Sequence, residues 1–104
     1  MKGLGDLMKK AQQMKASMDR LQEELATREV EAGAGGGMVT ARATGAQEIV
    51  SIEIDPSVID PAEREMLQDL VQAAVNEALR KSKEMMKEEM AKITGGLPVP
   101  DILG

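Results

Sequence analysis

Cysteine, histidine and every aromatic residue are absent from this chain of 104 residues. The absence of cysteine excludes disulfides and thiolate chemistry, and the absence of histidine as well removes the usual zinc ligands. Acid–base catalysis would therefore depend on Asp, Glu or Lys. The acidic residues around Pro56 and Pro61 lack the ligand order and the glycine of a calcium loop. We expect no enzyme, no metal site, no cofactor and no small-molecule substrate.

The hydrophobic core must be built without aromatic side chains, from Leu, Ile, Val, Ala and nine Met. Methionine fills irregular space but specifies shape poorly. A single domain of this length with such a core is hard to stabilise alone. The composition therefore predicts one domain that self-associates.

A long apolar run and a basic excess are also absent. The first residues, MKGLGDLMKK, are charged before they are continuously apolar, so we expect no signal peptide, no membrane partner and a cytosolic location. The total net charge of −5 disfavours nucleic acid as a partner. Residues 1–20, however, carry five basic and two acidic side chains, so the charge is unevenly distributed.

Apolar residues recur along the first quarter of the chain at alternating steps of three and four. They are Leu4, Leu7, Ala11, Met14, Met18, Leu21 and Leu25. This is the 3.5-residue repeat of a helix seam, and no Gly, Pro or β-branched residue interrupts it from residue 6 to residue 26. The pattern predicts a helix over residues 4–26. Its seam, which packs against another helix of the same chain or of a second copy, comprises Leu7, Met14, Met18, Leu21 and Leu25.

Alternation of apolar and polar residues follows and predicts three short strands within residues 27–55, the first of which includes Arg28. The second and third strands each present one apolar face, formed by Val39, Ala41 and Ala43 and by Val50, Ile52 and Ile54. Strands with one apolar face are typical of an antiparallel meander.

The sequence Asp60-Pro61 predicts the start of a second helix, with Asp60 as N-cap and Glu63 three residues after it. Apolar residues continue at helical spacing to Ile93, and Gly95-Gly96 ends the pattern. We therefore predict a helix over residues 61–94, a single domain over residues 1–94 and a C-terminal tail over residues 95–104.

The glycine-rich stretch GAGGG at residues 33–37 could be a phosphate-binding loop or a turn. A P-loop requires Lys followed by Ser or Thr directly after its last glycine, and a helix beyond. Here Gly37 is followed by Met38, Val39 and a predicted strand, and Met38 stands where the dinucleotide fingerprint requires glycine. The context favours a hairpin turn.

The methionines of the two helices permit two interpretations. They can form a surface that binds peptides, or they can pack between helices. The seam spacing favours helix packing. The residues concerned are Met14, Met18, Met85, Met86 and Met90.

Basic residues form one stripe on each helix. Lys2, Lys9 and Arg20 share a face opposite the first seam, and Arg80, Lys83 and Lys87 form a second stripe. Such stripes are either solvated faces with ion pairs to neighbouring acids or phosphate contacts, and spacing alone favours the solvated face.

Helix length also bears on assembly. The two helices would be roughly 33 Å and 50 Å long, whereas a compact domain of this size has a radius of gyration near 13 Å. Neither helix can be covered fully by one small sheet. We expect a homodimer with projecting arms, each built from the first and last helices of one copy.

Four segments together resemble the YbaB/EbfC family of bacterial nucleoid-associated proteins. They are LMKKAQQMKASMDRLQEEL, GAGGGMVTARATG, IEIDP and EMLQDLVQAAVNEALRKSKE, and they cover residues 4 to about 90 in order. The resemblance implies an α+β fold, with terminal helices around a three-stranded sheet, in a tweezer-like homodimer. It also implies binding to double-stranded DNA in the nucleoid, with roles in nucleoid organisation, gene expression and DNA protection.

In that family the DNA contacts lie on the terminal helices. The resemblance therefore favours phosphate contacts over a merely solvated face for the basic stripes of the two helices. Carried over by position, the resemblance implies DNA contacts at Lys9, Lys10, Lys15, Arg20, Arg80, Lys81, Lys83 and Lys87. Few Asn and Gln are available for base readout, so we expect little sequence specificity. The rival hypothesis is an acidic dimer that grips a protein, as chaperones do, between Met-lined arms.

Overall fold

A computed structural model describes residues 2–95, which form an α+β fold. Helix α1 spans Lys2–Thr27, strands β1, β2 and β3 span Glu29–Ala34, Val39–Thr44 and Ile49–Ile54, and helix α2 spans Arg64–Ile93. The strands form one antiparallel sheet in the order β1-β2-β3. The predicted helix–sheet–helix order is confirmed. The predicted tail lies outside the described residues from position 96 onwards.

The start of α2 differs from the prediction by one turn. Residues Pro61–Glu63 form a 3₁₀ turn, and the α-helix begins at Arg64. Asp60 caps this turn, because its carboxylate accepts a hydrogen bond from the backbone N–H of Ala62 at 3.0 Å. The capping residue was therefore predicted correctly, but it caps a 3₁₀ turn and the α-helix follows.

The core lies between β2 and α2. Val39, Ala41 and Ala43 are fully buried, as predicted for one face of β2, and they pack in one cluster with Ala74 and Ala78 of α2. Alanine on both surfaces permits close approach of the helix and sheet backbones. The consequence is a thin core that buries few large side chains.

The predicted apolar face of β3 is wrong at Val50. The pairing of β2 with β3 is irregular between Arg42 and Ala43, so Ile49 lies opposite Ala43 and Val50 has no partner in the register. A bulge of this kind shifts the alternation by one residue. Ile49 therefore takes the place on the helix-facing side that the simple alternation assigned to Val50.

The seam of α1 divides into two halves. Leu21 and Leu25 are buried against Met90 of α2, and Met18 packs beside them. The interpretation of the methionines as helix packing holds for this joint, which also includes Met85, Met86 and Ile93. In the other half, Leu7 is 64% exposed and Met14 is 46% exposed.

Two contacts hold the β2–β3 turn against both helices. The backbone N–H of Gly45 donates to the carbonyl of Leu25 at the end of α1, at 2.9 Å. The hydroxyl of Ser82 on α2 donates to the carbonyl of Thr44 at 2.6 Å and accepts from the N–H of Gln47 at 3.1 Å. The turn therefore fixes where α1 ends relative to α2.

The glycine-rich stretch connects two strands. Gly33 still belongs to β1, and Gly35, Gly36 and Gly37 have φ values of +64°, +68° and +93°. These left-handed conformations favour glycine and suit a tight connection between antiparallel strands. The stretch is a hairpin turn, as its sequence context predicted.

The described part of the chain is elongated. Its radius of gyration is 19.1 Å and its extents are 72 × 22 × 16 Å, whereas a compact domain of this length has a radius of gyration near 13 Å. The length arises because the first half of α1 extends alone beyond the α1–α2 joint. The prediction that the helices exceed one small sheet is confirmed.

Candidate nucleic-acid interface

Four basic side chains extend from α1 into solvent. Among residues 2–95, none of them has a hydrogen bond or an ion pair. Cations without an internal partner are available to bind an anion, and no intramolecular bond must be broken first. They are Lys9, Lys10, Lys15 and Arg20.

These four side chains do not share one face of the helix. At about 100° per residue, Lys9 and Arg20 lie within roughly 20° of each other, opposite the apolar stripe. Lys10 and Lys15 flank the stripe on its two sides. A duplex lying along the polar face of α1 would therefore meet Lys9 and Arg20 first. These two residues are about 16 Å apart along the helix axis.

Arg80 on α2 is held by two carboxylates of its own helix. Its Nε and Nη2 donate to Glu77 at 3.1 Å and 2.7 Å, and its Nη1 donates to Glu84 at 2.7 Å. The hydrogen bond from Arg80 lowers the pKa of Glu77, so the pair is ionised at neutral pH. The structure therefore places Arg80 on the predicted stripe, but its charge is balanced locally.

Lys81 points away from that stripe. Its Nζ donates to the backbone carbonyl of Glu31 on β1 at 2.8 Å. This contact joins α2 to the sheet, which gives Lys81 a structural role within the fold. Spacing on one helix could not reveal this contact, because the acceptor is fifty residues away in sequence.

Lys83 and Lys87 continue the stripe of Arg80 along α2. Lys83 is half-buried and lines an open hollow of about 370 Å³ with Gln47, Asn76, Leu79 and Arg80. Lys87 lies one turn further and is exposed. The predicted spacing of the stripe is therefore present on α2.

The joint between the helices brings together basic residues that the sequence did not connect. Arg20 of α1 and Lys92 of α2 line the same hollow, about 170 Å³ in volume, together with Glu24 and Glu89. Lys92 also pairs with Glu89 at 3.1 Å. Sequence reasoning missed Lys92 because nothing in the local pattern places it beside α1.

Arg28 lies between α1 and β1, so its predicted place on the first strand is wrong. Its guanidinium pairs with Glu89 of α2 at 3.3 Å. Hydrogen bonds from Lys92 first, and then from Arg28, lower the pKa of Glu89. Arg28 thus belongs to the contact that holds α1 on α2.

The acidic side chains of residues 2–95 are dispersed. Among them, no three come close enough together to hold a metal ion. In the same part of the chain, none of the helices combines the length and the apolar character needed to span a membrane.

The profile of the YbaB/EbfC DNA-binding family matches residues 1–97. The chain belongs to this family. Proteins named nucleoid-associated protein are among its relatives in the family. The one from Moorella thermoacetica is 56% identical over 101 residues, covering 94% of this chain and 97% of the relative. The one from Alkaliphilus metalliredigens is 48% identical over 99 residues, covering 95% of this chain and 87% of the relative.

The fold also matches a solved structure. A crystal structure of an uncharacterised protein from Helicobacter pylori aligns with a TM-score of 0.75 at 27% identity, covering 88% of this chain and 94% of that chain. The predicted resemblance to the YbaB/EbfC family is therefore confirmed at the level of fold and family. Membership of a DNA-binding family points to binding and away from catalysis.

Proposed function

We propose that this YbaB/EbfC member binds double-stranded DNA with little sequence specificity, through basic side chains on its two terminal helices. The observation that carries the proposal is the set of exposed cations on α1 without an internal partner among residues 2–95, on a chain whose net charge is −5. The proposed contact residues are Lys9, Lys10, Lys15, Arg20, Arg80, Lys81, Lys83 and Lys87. Of these, Lys81 should contribute least, because its Nζ is bound to the carbonyl of Glu31. We rank Lys9 and Arg20 first, because they share one exposed face.

Sequence specificity is expected to be low because phosphate contacts position a protein on DNA but do not read its bases. Single-stranded DNA is a poor candidate, since proteins that bind it stack its bases on aromatic side chains and this chain has none. The ligand class that fits is therefore the phosphate backbone of a duplex.

The functional unit is a homodimer whose paired arms contact the duplex. A dimer would carry twice −5, a net charge of −10. At physiological salt the Debye length is about 8 Å, so this charge repels DNA only near the acidic surfaces. Binding is then local to the basic arms, where it bends or compacts the duplex. The protein acts in the cytoplasm on the nucleoid and contributes to its organisation, to gene regulation and to DNA protection.

The experiment is a titration of two unrelated duplexes at low salt, followed by fluorescence anisotropy. We expect both to bind with similar affinity, and the double variant Lys9→Gln/Arg20→Gln to bind both more weakly. The matched control is Arg42→Gln, because Arg42 lies on the outer face of the sheet and pairs with Glu31 at 3.5 Å. Equal losses in the double variant and the control would contradict the proposed surface.

A second candidate function is supported by the exposed half of the α1 seam. Leu4 is 60% exposed and Met8 is 59% exposed, so the projecting part of α1 offers apolar side chains to a protein partner. A chaperone-like or other interaction module would use this stripe. Absence of duplex binding at low salt, with an intact fold, would favour this candidate over the first.

A further inference from the structure

The first half of α1 carries an apolar stripe that has no cover among residues 2–95. Every residue from Gly3 to Ala16 is exposed, and we call this part of the helix the α1 projection. A helical stretch of about fourteen residues without tertiary packing is only marginally stable in water. A cover on the stripe would therefore stabilise the projection. The stripe consists of Leu4, Leu7, Met8, Ala11 and Met14.

The charges beside the stripe disfavour a second α1 helix as its cover. With the apolar residues at positions a and d of a heptad, Lys10 falls at position g and Lys15 at position e. In a parallel pair of α1 helices, Lys10 of one copy would face Lys15 of the other, and an antiparallel pair would also bring lysines together. Like charges at flanking positions work against such a pair. The cover that fits is apolar with an acidic group.

Helix α2 ends beside the base of the α1 projection. The two helices are antiparallel, because Arg28 at the end of α1 pairs with Glu89, whereas Ser17 lines one hollow together with Ile93. Gly95, with a φ of +65°, ends α2 at this level. The chain therefore leaves α2 next to Ser17, where the uncovered part of α1 begins.

The segment that follows is long enough to run along the whole stripe. Residues 96–104 have the sequence GLPVPDILG. Its two prolines favour an extended backbone. At about 3.1 Å per residue, nine residues span about 28 Å. Leu4 lies thirteen residues before Ser17 on α1, which is about 20 Å along the helix axis.

The composition of residues 96–104 complements the stripe. Its one charged side chain, Asp101, is acidic, as the lysines on both sides of the stripe require. Large apolar side chains gain free energy when they leave water for an apolar surface. Four of the nine residues are of this kind, namely Leu97, Val99, Ile102 and Leu103.

We propose that residues 96–104 fold back onto α1 of the same chain and cover its apolar stripe, with Asp101 on the side of the stripe that carries Lys10. Lys9 lies on the opposite face of the helix, so the docked segment leaves Lys9 open to a ligand. Docking stabilises the α1 projection, and a protein partner has to displace the segment before it can reach the stripe.

The first test compares hydrogen exchange in two variants that each lose one isoleucine. Ile102→Ser should make the amides of residues 7–16 exchange about ten-fold faster or more, because the apolar contact that holds the segment on the projection is weakened. Ile59→Ser is the matched control. Ile59 is 58% exposed in the connection before α2, and its loss should leave these amides unchanged. Equal exchange rates of residues 7–16 in the wild type and Ile102→Ser would overturn the inference.

The second test measures proximity directly. The chain has no cysteine, so Gly104→Cys can carry a single nitroxide spin label. The label should broaden the amide signals of the α1 projection. Adding Leu7→Glu, which places a carboxylate on the stripe, should abolish the broadening, whereas Gln13→Glu on the polar face should preserve it. Leu7 is 64% exposed, so this change leaves the core intact. Broadening that persists in Leu7→Glu would show that the segment does not dock on the stripe.

A mixed sample distinguishes docking on the same chain from docking on another copy. Spin-labelled chain without isotope enrichment is mixed with ¹⁵N-enriched chain without the label. Broadening of the enriched chain would place the segment on α1 of another copy and overturn the inference, whereas sharp signals support it. Both tests are made without DNA, so their outcome is independent of the proposed duplex binding.

Discussion

Ser82 shows how one residue links the sheet to α2. Its side chain is fully buried, and its hydroxyl bonds Thr44 at the end of β2 and Gln47 in the β2–β3 turn. A buried polar group must find such partners, because an unmade hydrogen bond costs the desolvation energy. In the sequence, Ser82 occupies a core position of the helical pattern, and nothing local indicates its acceptor.

We predict that Ser82→Ala lowers the free energy of unfolding by about 1–2 kcal/mol, because the hydrogen bonds of its buried hydroxyl to the N–H of Gln47 and the carbonyl of Thr44 are lost. The turn hydrogen bond between these two backbone groups, at 3.0 Å, remains. Each 1 kcal/mol lowers the melting temperature by roughly 4–8 °C in a domain of this size. Ser57→Ala is the control, since the Ser57 hydroxyl is exposed, and its effect should stay within about 0.5 kcal/mol. Equal melting temperatures for both variants would contradict the role given to Ser82.

Gly45 and Gly36 are required for different reasons. A Cβ on Gly45 would lie 2.8 Å from Leu25 Cδ2 and 2.9 Å from the Leu25 carbonyl oxygen. A Cβ on Gly36 would meet nothing within 4 Å, but its φ is +68°. The first glycine permits close contact with the end of α1, and the second permits the turn.

We predict that Gly45→Ala costs about 1–3 kcal/mol through overpacking, and that Gly36→Ala costs about 1–2 kcal/mol through its left-handed backbone. Thermal denaturation measures both. Duplex affinity should be unchanged in Gly36→Ala, because the turn has no role as a phosphate cradle. A large loss of affinity at an unchanged melting temperature would show that the turn touches DNA.

At the scale of the element, the two helices present their charges differently. Within the described part of the chain, Lys9, Lys10, Lys15 and Arg20 of α1 have no hydrogen-bond or ion-pair partner. Arg80 of α2, in contrast, is bonded to Glu77 and Glu84. The sequence shows that acids stand three and four residues from Arg80, but it does not show which cation they bind. We therefore expect the acids of α2 to limit what Arg80 can contribute to the proposed DNA binding.

We predict that Glu77→Gln strengthens duplex binding, because it removes one of the two carboxylates that hold Arg80 and lets the guanidinium reach a phosphate. The control is Glu65→Gln, which changes the net charge equally near the other end of α2. Anisotropy titrations at one salt concentration compare the two variants. If both raise the affinity equally, the effect is one of net charge alone and Arg80 has no special part in it.

The sequence predicted most of the elements but not which faces are covered. The heptad spacing located α1 and its apolar stripe. It could not show that the stripe is covered from Met18 onwards and exposed at Leu7 and Met14, because this depends on where α2 ends in space. The alternation in β3 located the strand but not the bulge at Val50, which depends on pairing with β2. The contact of Lys81 likewise depends on a carbonyl fifty residues away, and the place of Lys92 beside Arg20 depends on how the two helices meet.

At the scale of the whole molecule, the acidic and the basic surfaces lie at different positions along the long axis. The sheet, with its acidic strand β1, packs on the first part of α2, and the basic residues of α1 extend beyond the α1–α2 joint along the other end of a body 72 Å long. A duplex can approach the basic end while it stays more than a Debye length, about 8 Å at physiological salt, from much of the acidic surface. This separation reconciles an acidic protein with a nucleic-acid ligand.

We predict that duplex binding is strongly salt-dependent, because each phosphate that a basic side chain neutralises releases a counterion. The slope of log K against log[salt] should be about −0.9 per neutralised phosphate, so four to eight of them on a dimer give a fall of roughly two to four decades in affinity between 50 and 200 mM salt. In Lys9→Gln/Arg20→Gln the slope should flatten by about 0.9 for every phosphate that is no longer neutralised. In Arg42→Gln it should not change. Salt-independent binding would mean that phosphate neutralisation does not drive the interaction, and it would favour a protein partner held by the exposed apolar stripe of α1.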